Sequence, residues 1–490
     1  MKRLLFAIAL LLMPSAVLAQ VPAKKPPNVL LIVSDDLGAR LASDGDPLMK
    51  SPNLDKLAAR GVRFANAYCQ YPLCNPSRAS FLTGLRPDTI KVYENKTQFR
   101  ETTPDAQSIG QTFQKAGYYV ARVGKLYHYG VPAQIGTDGL DDPPSWQERF
   151  NPAGRDVNED KAKVLRTAFD AKTQKTEVVA NNELNQTGGT LSWLASEGKD
   201  AEHTDGKIAD KAIELLAAHK DKPFFLAVGF FRPHTPYVAP KVPYFGYYPP
   251  EKMPVWAEPA GWRNSVPKIA LNLKPDQEHM TEAQKRECIQ AYYASTTFMD
   301  AQAGRVLDKL EELKLADNTI VVFLSDHGYQ LGEHAQWQKM TLFELSARVP
   351  LIIAAPGGAQ GATSSRPVEL VDLHATLADL AGVAAPKTDG LSLRPLVQKP
   401  DAAWDKPAIT QVSRGGGGRN AARNANAPGG PVMGYSVRTE RYRYTSWGDA
   451  GDELYDHATD AAEMKNLAKD PAQADVVARM KALLPKPGQK

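Results

Sequence analysis

Residues Asn28–Ser34 read Asn-Val-Leu-Leu-Ile-Val-Ser, an apolar run without alternation, closed by Asp35 and Asp36. A strand that is apolar on both faces has to be covered on both faces. This run therefore argues against a sheet with one wet face and calls for helices above and below it. Similar short runs recur at Tyr118–Val123, Phe224–Phe230, Thr319–Leu324 and Val349–Ala354. Helical patterns lie between them. Leu54–Arg60 is closed by Gly61 and Gln107–Ala116 by Gly117; Asp205–His219, Thr281–Leu315 and Leu370–Leu380 follow. Strands alternating with helices predict an α/β fold with a mostly parallel central sheet.

The chain has 490 residues, 43% hydrophobic and 23% charged, enough to bury a large core. Its net charge is only +4, with no basic stripe interleaved with aromatics, so no nucleic-acid partner is expected. The N-terminus runs Met-Lys-Arg, then an apolar stretch Leu4–Met13, then Val17-Leu-Ala19. This is the pattern of a signal peptide over residues 1–19, and the apolar stretch is short for a stable membrane anchor. Export to the periplasm or beyond is the expectation. Residues 20–27 form a linker and 28–400 the main domain, within which 130–200 is Gly-, Pro- and Asp-rich and reads as long surface loops. From about residue 400 the texture changes. Arg414–Gly430 reads as a mobile loop, Tyr435–Trp447 and Glu453–Asp456 as strands, and Pro471–Leu484 as a closing helix. Residues 401–490 thus predict a small α+β subdomain with an antiparallel sheet. Asn95-Lys-Thr97 and Asn185-Gln-Thr187 have the form of glycosylation acceptors. The only cysteines are Cys69, Cys74 and Cys288, which is no disulfide framework. An odd number in an exported chain marks one thiol as special; Cys69 and Cys288 either pair or stay buried and reduced.

Ligands of parallel sheets bind outside the carboxyl ends of the strands. Asp35 and Asp36 follow one predicted strand, Lys125 and His128 a second, His234 a third, and Asp326 and His327 a fourth. Each has an ordinary reading alone: a turn carboxylate, a surface lysine, a hydrogen-bonded loop histidine. Their common placement points to one crevice. Asp35, Asp36 and Asp326 together would need a cation, and oxygen ligands favour Ca²⁺ or Mg²⁺ over zinc. Cys74, followed by Pro76 and Arg78, opens a short helical pattern ending at Thr83-Gly84. This sets a potential nucleophile at a helix N-terminus beside a guanidinium, though a packed structural thiol has the same local look. With Lys125 and Lys339 added, the pocket suits a tetrahedral oxyanion ester, a sulfate or a phosphate. Histidines beside it could protonate a leaving oxygen.

Cys74-x-Pro76-Ser77-Arg78 followed by Leu82-Thr83-Gly84 resembles the signature of the type I sulfatases, in the alkaline-phosphatase-like superfamily. Asn28–Asp36, Gly124-Lys-x-x-His128, Leu324–Gly328, Leu331–His334 and Glu453–Asp456 resemble further family segments in the same order. Arg232-Pro-His-Thr-Pro236 and Trp337-Gln-Lys339 are most similar to the iduronate-2-sulfatase-like branch. The resemblance implies an alkaline-phosphatase-like α/β/α sandwich and an exported sulfuric ester hydrolase, acting on sulfate monoesters of a sulfated glycan or saccharide. It implies that a formylglycine-generating enzyme oxidises Cys74 to an aldehyde, whose hydrate ligates the metal and attacks sulfur. Asp35, Asp36, Asp326 and His327 would be the other ligands of one calcium ion, with His327 an unusual ligand for so hard a cation. Arg78 would stabilise the hydrate, and Lys125 and Lys339 would grip sulfate. His234 would serve as acid for the leaving alcohol, and His128 would take the proton whose loss expels sulfate. Two alternatives remain open: a phosphodiester or phosphonate monoester hydrolase on the same scaffold, and a non-catalytic glycan-binding relative.

Overall fold

The computed structural model describes residues 25–180, 189–415 and 430–485. The expected signal peptide, most of the linker, most of Arg414–Gly430, and Asn185-Gln-Thr187 lie outside the described residues.

Eight strands build the central sheet: β1 (Asn28–Asp35), β2 (Val62–Phe64), β3 (Tyr119–Gly124), β4 (Glu148–Phe150), β5 (Phe224–Pro233), β6 (Thr319–Ser325), β7 (Leu351–Ala354) and β8 (Ala362–Ser364). Their order is β8-β2-β7-β6-β1-β5-β3-β4. All run the same way except β7, which is antiparallel to both neighbours. A parallel return needs a long crossover, normally a helix. Between β6 and β7 the only α-helix is the short Glu344–Ala347, so the chain turns back instead.

Every residue of β1 is buried, as its composition requires. Alternate side chains enter two separate cores. Val29, Leu31 and Val33 pack with Phe81, Phe113 and Leu377, brought by helices α2 (Cys74–Thr83), α3 (Ile109–Lys115) and α6 (Leu373–Ala381). Leu30 and Ile32 pack with Leu54, Ile208 and Val306, brought by α1 (Pro52–Arg60), α4 (Thr204–Ala218) and α5 (Glu282–Glu312). This is the expected α/β/α sandwich. Asp300 of α5 accepts from the backbone N–H groups of Asn53 (3.2 Å) and Leu54 (2.9 Å), so one helix caps the next.

Residues 130–200 depart from the loop reading. Leu165–Asp170, Lys175–Ala180 and Ser192–Ser196 are strands, completed into a four-stranded sheet by Tyr237–Pro240. The first two are mostly half-buried or exposed, which mixes charged and apolar residues and erases a clean alternation.

Ala408–Arg414, Val432–Arg438, Tyr442–Ser446 and Asp452–Asp456 form an antiparallel sheet, and Met480 of helix Ala474–Ala482 packs on Val437, Tyr444 and Leu454. Buried charge ties this sheet to the main body: Arg443 bonds Glu463 at 2.6 Å and also Glu344, which accepts from Tyr68 at 2.9 Å. Glu453 is buried beside these groups, accepting from Trp447 Nε1 (2.9 Å) and Tyr455 OH (2.8 Å). Burial raises its pKa to about 7, against 4.5 for an ordinary glutamate. The folded state therefore holds this proton more tightly than the unfolded chain does. Its contribution to stability is full below pH 4.5 and is lost as pH rises to about 7. Glu453→Gln is expected to flatten that stretch of a stability-versus-pH curve, by roughly 3 kcal/mol at most. Denaturant titrations at pH 5 and pH 8 read the change; an unaltered slope contradicts it.

Candidate active site

Four neighbouring strands, β6, β1, β5 and β3, end at one edge of the sheet, and the predicted polar residues follow them directly. Asp35 is the last residue of β1 and Asp36 follows it with φ 64°. An aspartate tolerates this left-handed turn better than a branched residue would. Tyr292 of α5 holds the turn, accepting from Gly38 N–H and donating to Asp36 C=O, each at 2.9 Å. Ser325 Oγ accepts from Leu37 N–H at 2.9 Å.

Cys74 is the first residue of α2, which packs against the sheet face, so its side chain meets the strand ends from one side. Its Sγ lies 3.8 Å from an oxygen of Asp35 and of Asp36, 3.5 Å from His327 Nε2 and 3.0 Å from Lys339 Nζ. One turn on, the fully buried Arg78 bonds Asp326 (2.8 Å) and Asp35 (3.0 Å) and donates to the carbonyls of Lys125 (2.8 Å) and Leu126 (3.0 Å). Lys125 reaches Asp35 and Lys339 reaches Asp36, each at 2.5 Å. His234 Nε2 is 3.7 Å from Asp36, and His327 Nε2 is 3.2 Å from Asp36 and 3.6 Å from Asp326. His128 stands beside Cys74 and Lys125, and its buried Nδ1 has no hydrogen-bond partner among the described residues. All ten residues singled out from sequence therefore meet in one place.

Charge balance explains the local acidities. Burial raises the Cys74 thiol, but Lys125 and Lys339 overcome it and hold the pKa well below 9.0. The other cysteines behave oppositely: Cys69 and Cys288 are unpaired, and burial raises both. Asp36 is held low against burial by His234 and Lys339, and Asp35 by Lys125. At Asp326 burial wins over Arg78, raising the carboxyl to about 6, and Asp326 in turn raises His327 against burial to about 10.

Asp36, Cys74, Asp326 and His327 place ligand atoms within 4.8 Å of one another. Ligands facing each other across a calcium ion lie about 5 Å apart, so the cluster fits such an ion in size, and its two carboxylates supply the oxygen ligands a hard cation prefers. Asp35 groups instead with Asp36 and His234, at the same limit. Glu344, His457 and Glu463 make a further acidic cluster, but Arg443 is already bonded to both glutamates there.

Several groups that shape the site carry no readable mark in the sequence. Tyr292 is one aromatic among many on α5. Gly229 lies inside the apolar run of β5, where its backbone packs so closely on Lys125 that an added Cβ would sit 1.9 Å from the Lys125 carbonyl oxygen. Gly229→Ala is expected to displace Lys125, cutting turnover roughly 100-fold and destabilising the fold by about 1–3 kcal/mol. Steady-state kinetics with a thermal melt checks this; near-native values for both contradict it.

A family model described as Sulfatase matches residues 27–383. A sulfatase of Formosa agariphila is 32% identical over 475 residues, covering 94% of this chain and 86% of its own. The iduronate 2-sulfatase of Homo sapiens is 32% identical over 514 residues, covering 91% and 90%. Among solved structures, the phosphonate monoester hydrolase of Silicibacter pomeroyi superposes with a TM-score of 0.72 at 26% identity, covering 93% of this chain and 94% of that one.

Proposed function

The chain belongs to the sulfatase family, and from that premise we propose that this site cleaves sulfate monoesters of a saccharide with a nucleophile made from Cys74. Sulfuric ester hydrolysis itself follows from the family. The observation that carries the finer reading is the contact set of Cys74: a thiol against two carboxylates, a histidine and a lysine, all buried or nearly so. Cys74 Sγ marks where an oxygen of the matured residue would stand. Conversion of Cys74 to formylglycine supplies a hydrated aldehyde, with one oxygen to attack sulfur and a second to drive the release of sulfate. Asp35, Asp36, Asp326 and His327 would hold one calcium ion, which would lower the pKa of that hydrate.

The chain's own residues do the rest. Lys339 has its amine at the nucleophile and Lys125 has its own on the neighbouring Asp35, and both bind the oxygens of the sulfate. Arg78 pairs with Asp35 and Asp326 and holds both carboxylates in place. His234 donates its Nδ1–H to the carbonyl of Thr235 at 2.6 Å, which leaves Nε2 facing Asp36. A proton on Nε2 passes to the leaving alcohol. His128, lowered by burial and by Lys125, is a base at neutral pH and accepts the proton released as sulfate departs. A cleft of about 560 Å³ opens beside it, lined among others by Asn95, Lys96, Gln134 and Leu140, with room for the sugar. The export expected from the N-terminus suits a sulfated glycan, met outside the cytoplasm.

One specific likeness favours a second reading, a phosphonate monoester or phosphodiester hydrolase: the Silicibacter pomeroyi enzyme shares nearly the whole fold. Sulfate and phosphate esters differ little in shape, so lysines and a cation alone do not separate them. kcat/KM on 4-nitrophenyl sulfate and on bis(4-nitrophenyl) phosphate decides. Preference for the sulfate is expected; preference for the diester overturns the sulfatase reading. Matured protein that turns over neither substrate, nor any sulfated saccharide, favours the glycan-binding relative.

A further inference from the structure

We propose that Arg414 binds a second anionic group of the substrate, a carboxylate or another sulfate on the saccharide, and so selects polyanionic sugars. The inference rests on the sulfatase reading. Arg414 ends the strand Ala408–Arg414 of the C-terminal sheet. Its Nε donates to the carbonyl of Ile269 at 3.2 Å and its Nη2 to the carbonyl of Met340. Met340 follows Lys339, and its N–H bonds the carbonyl of Pro72 at 3.2 Å, two residues before Cys74. The guanidinium is thus fastened to the segment that delivers Lys339 to the nucleophile.

No carboxylate is bonded to Arg414 among the described residues, and Glu453 attracts it only from a distance. The buried arginines Arg78, Arg122, Arg232 and Arg443 each meet a carboxylate. Arg414 forms no ion pair among the described residues; carbonyl oxygens and the face of Trp447, 5.5 Å away, surround it. The acid behind that indole, Glu453, is committed to Trp447 Nε1 and Tyr455 OH. Residues 416–429, which follow in the chain, contain Arg419 and Arg423 and no acidic residue. A largely desolvated cation is costly to leave uncompensated, and burial lowers the pKa of Arg414 to about 10. A guanidinium has five N–H donors, of which two are used here, and the side chain stays partly exposed. Its remaining donors fit a planar or tetrahedral oxyanion brought by the ligand.

Competition assays with the matured full-length protein test this. Inhibition of 4-nitrophenyl sulfate turnover is measured with inorganic sulfate, with a monosulfated neutral disaccharide, and with disaccharides of the same sulfation that add either a uronate carboxylate or a second sulfate. In the native protein an added anion should tighten competition roughly ten- to hundredfold over the neutral disaccharide. In Arg414→Gln that advantage should collapse to about twofold, with Arg414→Lys in between; the carboxylate and sulfate arms tell which anion is read. The advantage is a ratio, so loss of folded protein leaves it unaltered, and thermal melts of both variants accompany it. An unchanged ratio in Arg414→Gln, a native protein with no preference for the added anion, or a KM for 4-nitrophenyl sulfate that rises in step with the disaccharide constants overturns the proposal. If matured native protein fails to cleave 4-nitrophenyl sulfate or any sulfate ester, the sulfatase reading itself has failed.

Discussion

Cys74→Ala is expected to lower turnover of 4-nitrophenyl sulfate by roughly 10⁴- to 10⁶-fold, the cost of removing a covalent nucleophile. The substitution removes one small buried atom from a site whose other groups are cross-braced without it. Arg78 ties Asp35 to Asp326 directly, and Lys125 and Lys339 have carboxylate partners of their own. The fold should therefore survive, and the thermal midpoint should stay close to that of the native protein. Inorganic sulfate should still bind, because the lysines that receive it remain. This combination separates loss of chemistry from loss of structure. Turnover within tenfold of native, from protein free of native contaminant, would mean that Cys74 does not furnish the nucleophile.

Arg78→Ala should damage both structure and activity. The side chain is fully buried and closes two carboxylates and two backbone carbonyls at once. Removing it leaves Asp35 and Asp326 with buried negative charge that Lys125 and His327 only partly offset. Breaking a buried pair from one side costs about 3–5 kcal/mol. Arg78→Lys restores the charge but not the fork that spans both acids, so it should recover only part of the loss. Urea unfolding at pH 7 measures these differences. A change below about 1 kcal/mol in Arg78→Ala would show that the carboxylates are balanced by something other than Arg78. Activity is expected to fall in both variants. Because Arg78 belongs to the segment resembling the sulfatase signature, within which Cys74 is expected to be oxidised, the state of residue 74 has to be determined alongside.

The residues that end strands were legible for a physical reason. A buried parallel strand must be apolar until it leaves the sheet, so the first polar residues after each run mark the edge where ligands collect. Asp35, Lys125, His234 and Asp326 stand at such ends. Lys339 follows no strand of the central sheet. It sits between Gln338 and Met340, whose φ values of 70° and 77° turn the chain so that its amine reaches Cys74; no strand end marked it, and it entered the sequence reading as an added cation, supported by the likeness of the segment Trp337–Lys339 to a known family. Arg414 was legible only as the start of a Gly-rich stretch, since its meaning depends on which carbonyls and which acids face it across the subdomain joint. The direction of β7 was likewise invisible, because a four-residue apolar strand reads alike in both directions and the absence of a crossover helix settles the matter. Gly229 and Tyr292 gave no signal at all: close backbone approach and a single hydroxyl among many tyrosines are facts of tertiary contact.

Under the proposed function, the working group at position 74 is an oxygen nucleophile made from the cysteine. Mass spectrometry of the peptide spanning Cys74, taken from protein assayed for 4-nitrophenyl sulfate turnover in the same preparation, tests it most directly. An aldehyde at residue 74, trapped by a hydrazine reagent, is expected in a fraction of molecules that rises in proportion to activity. Full activity from protein whose Cys74 is entirely an unmodified thiol would contradict it.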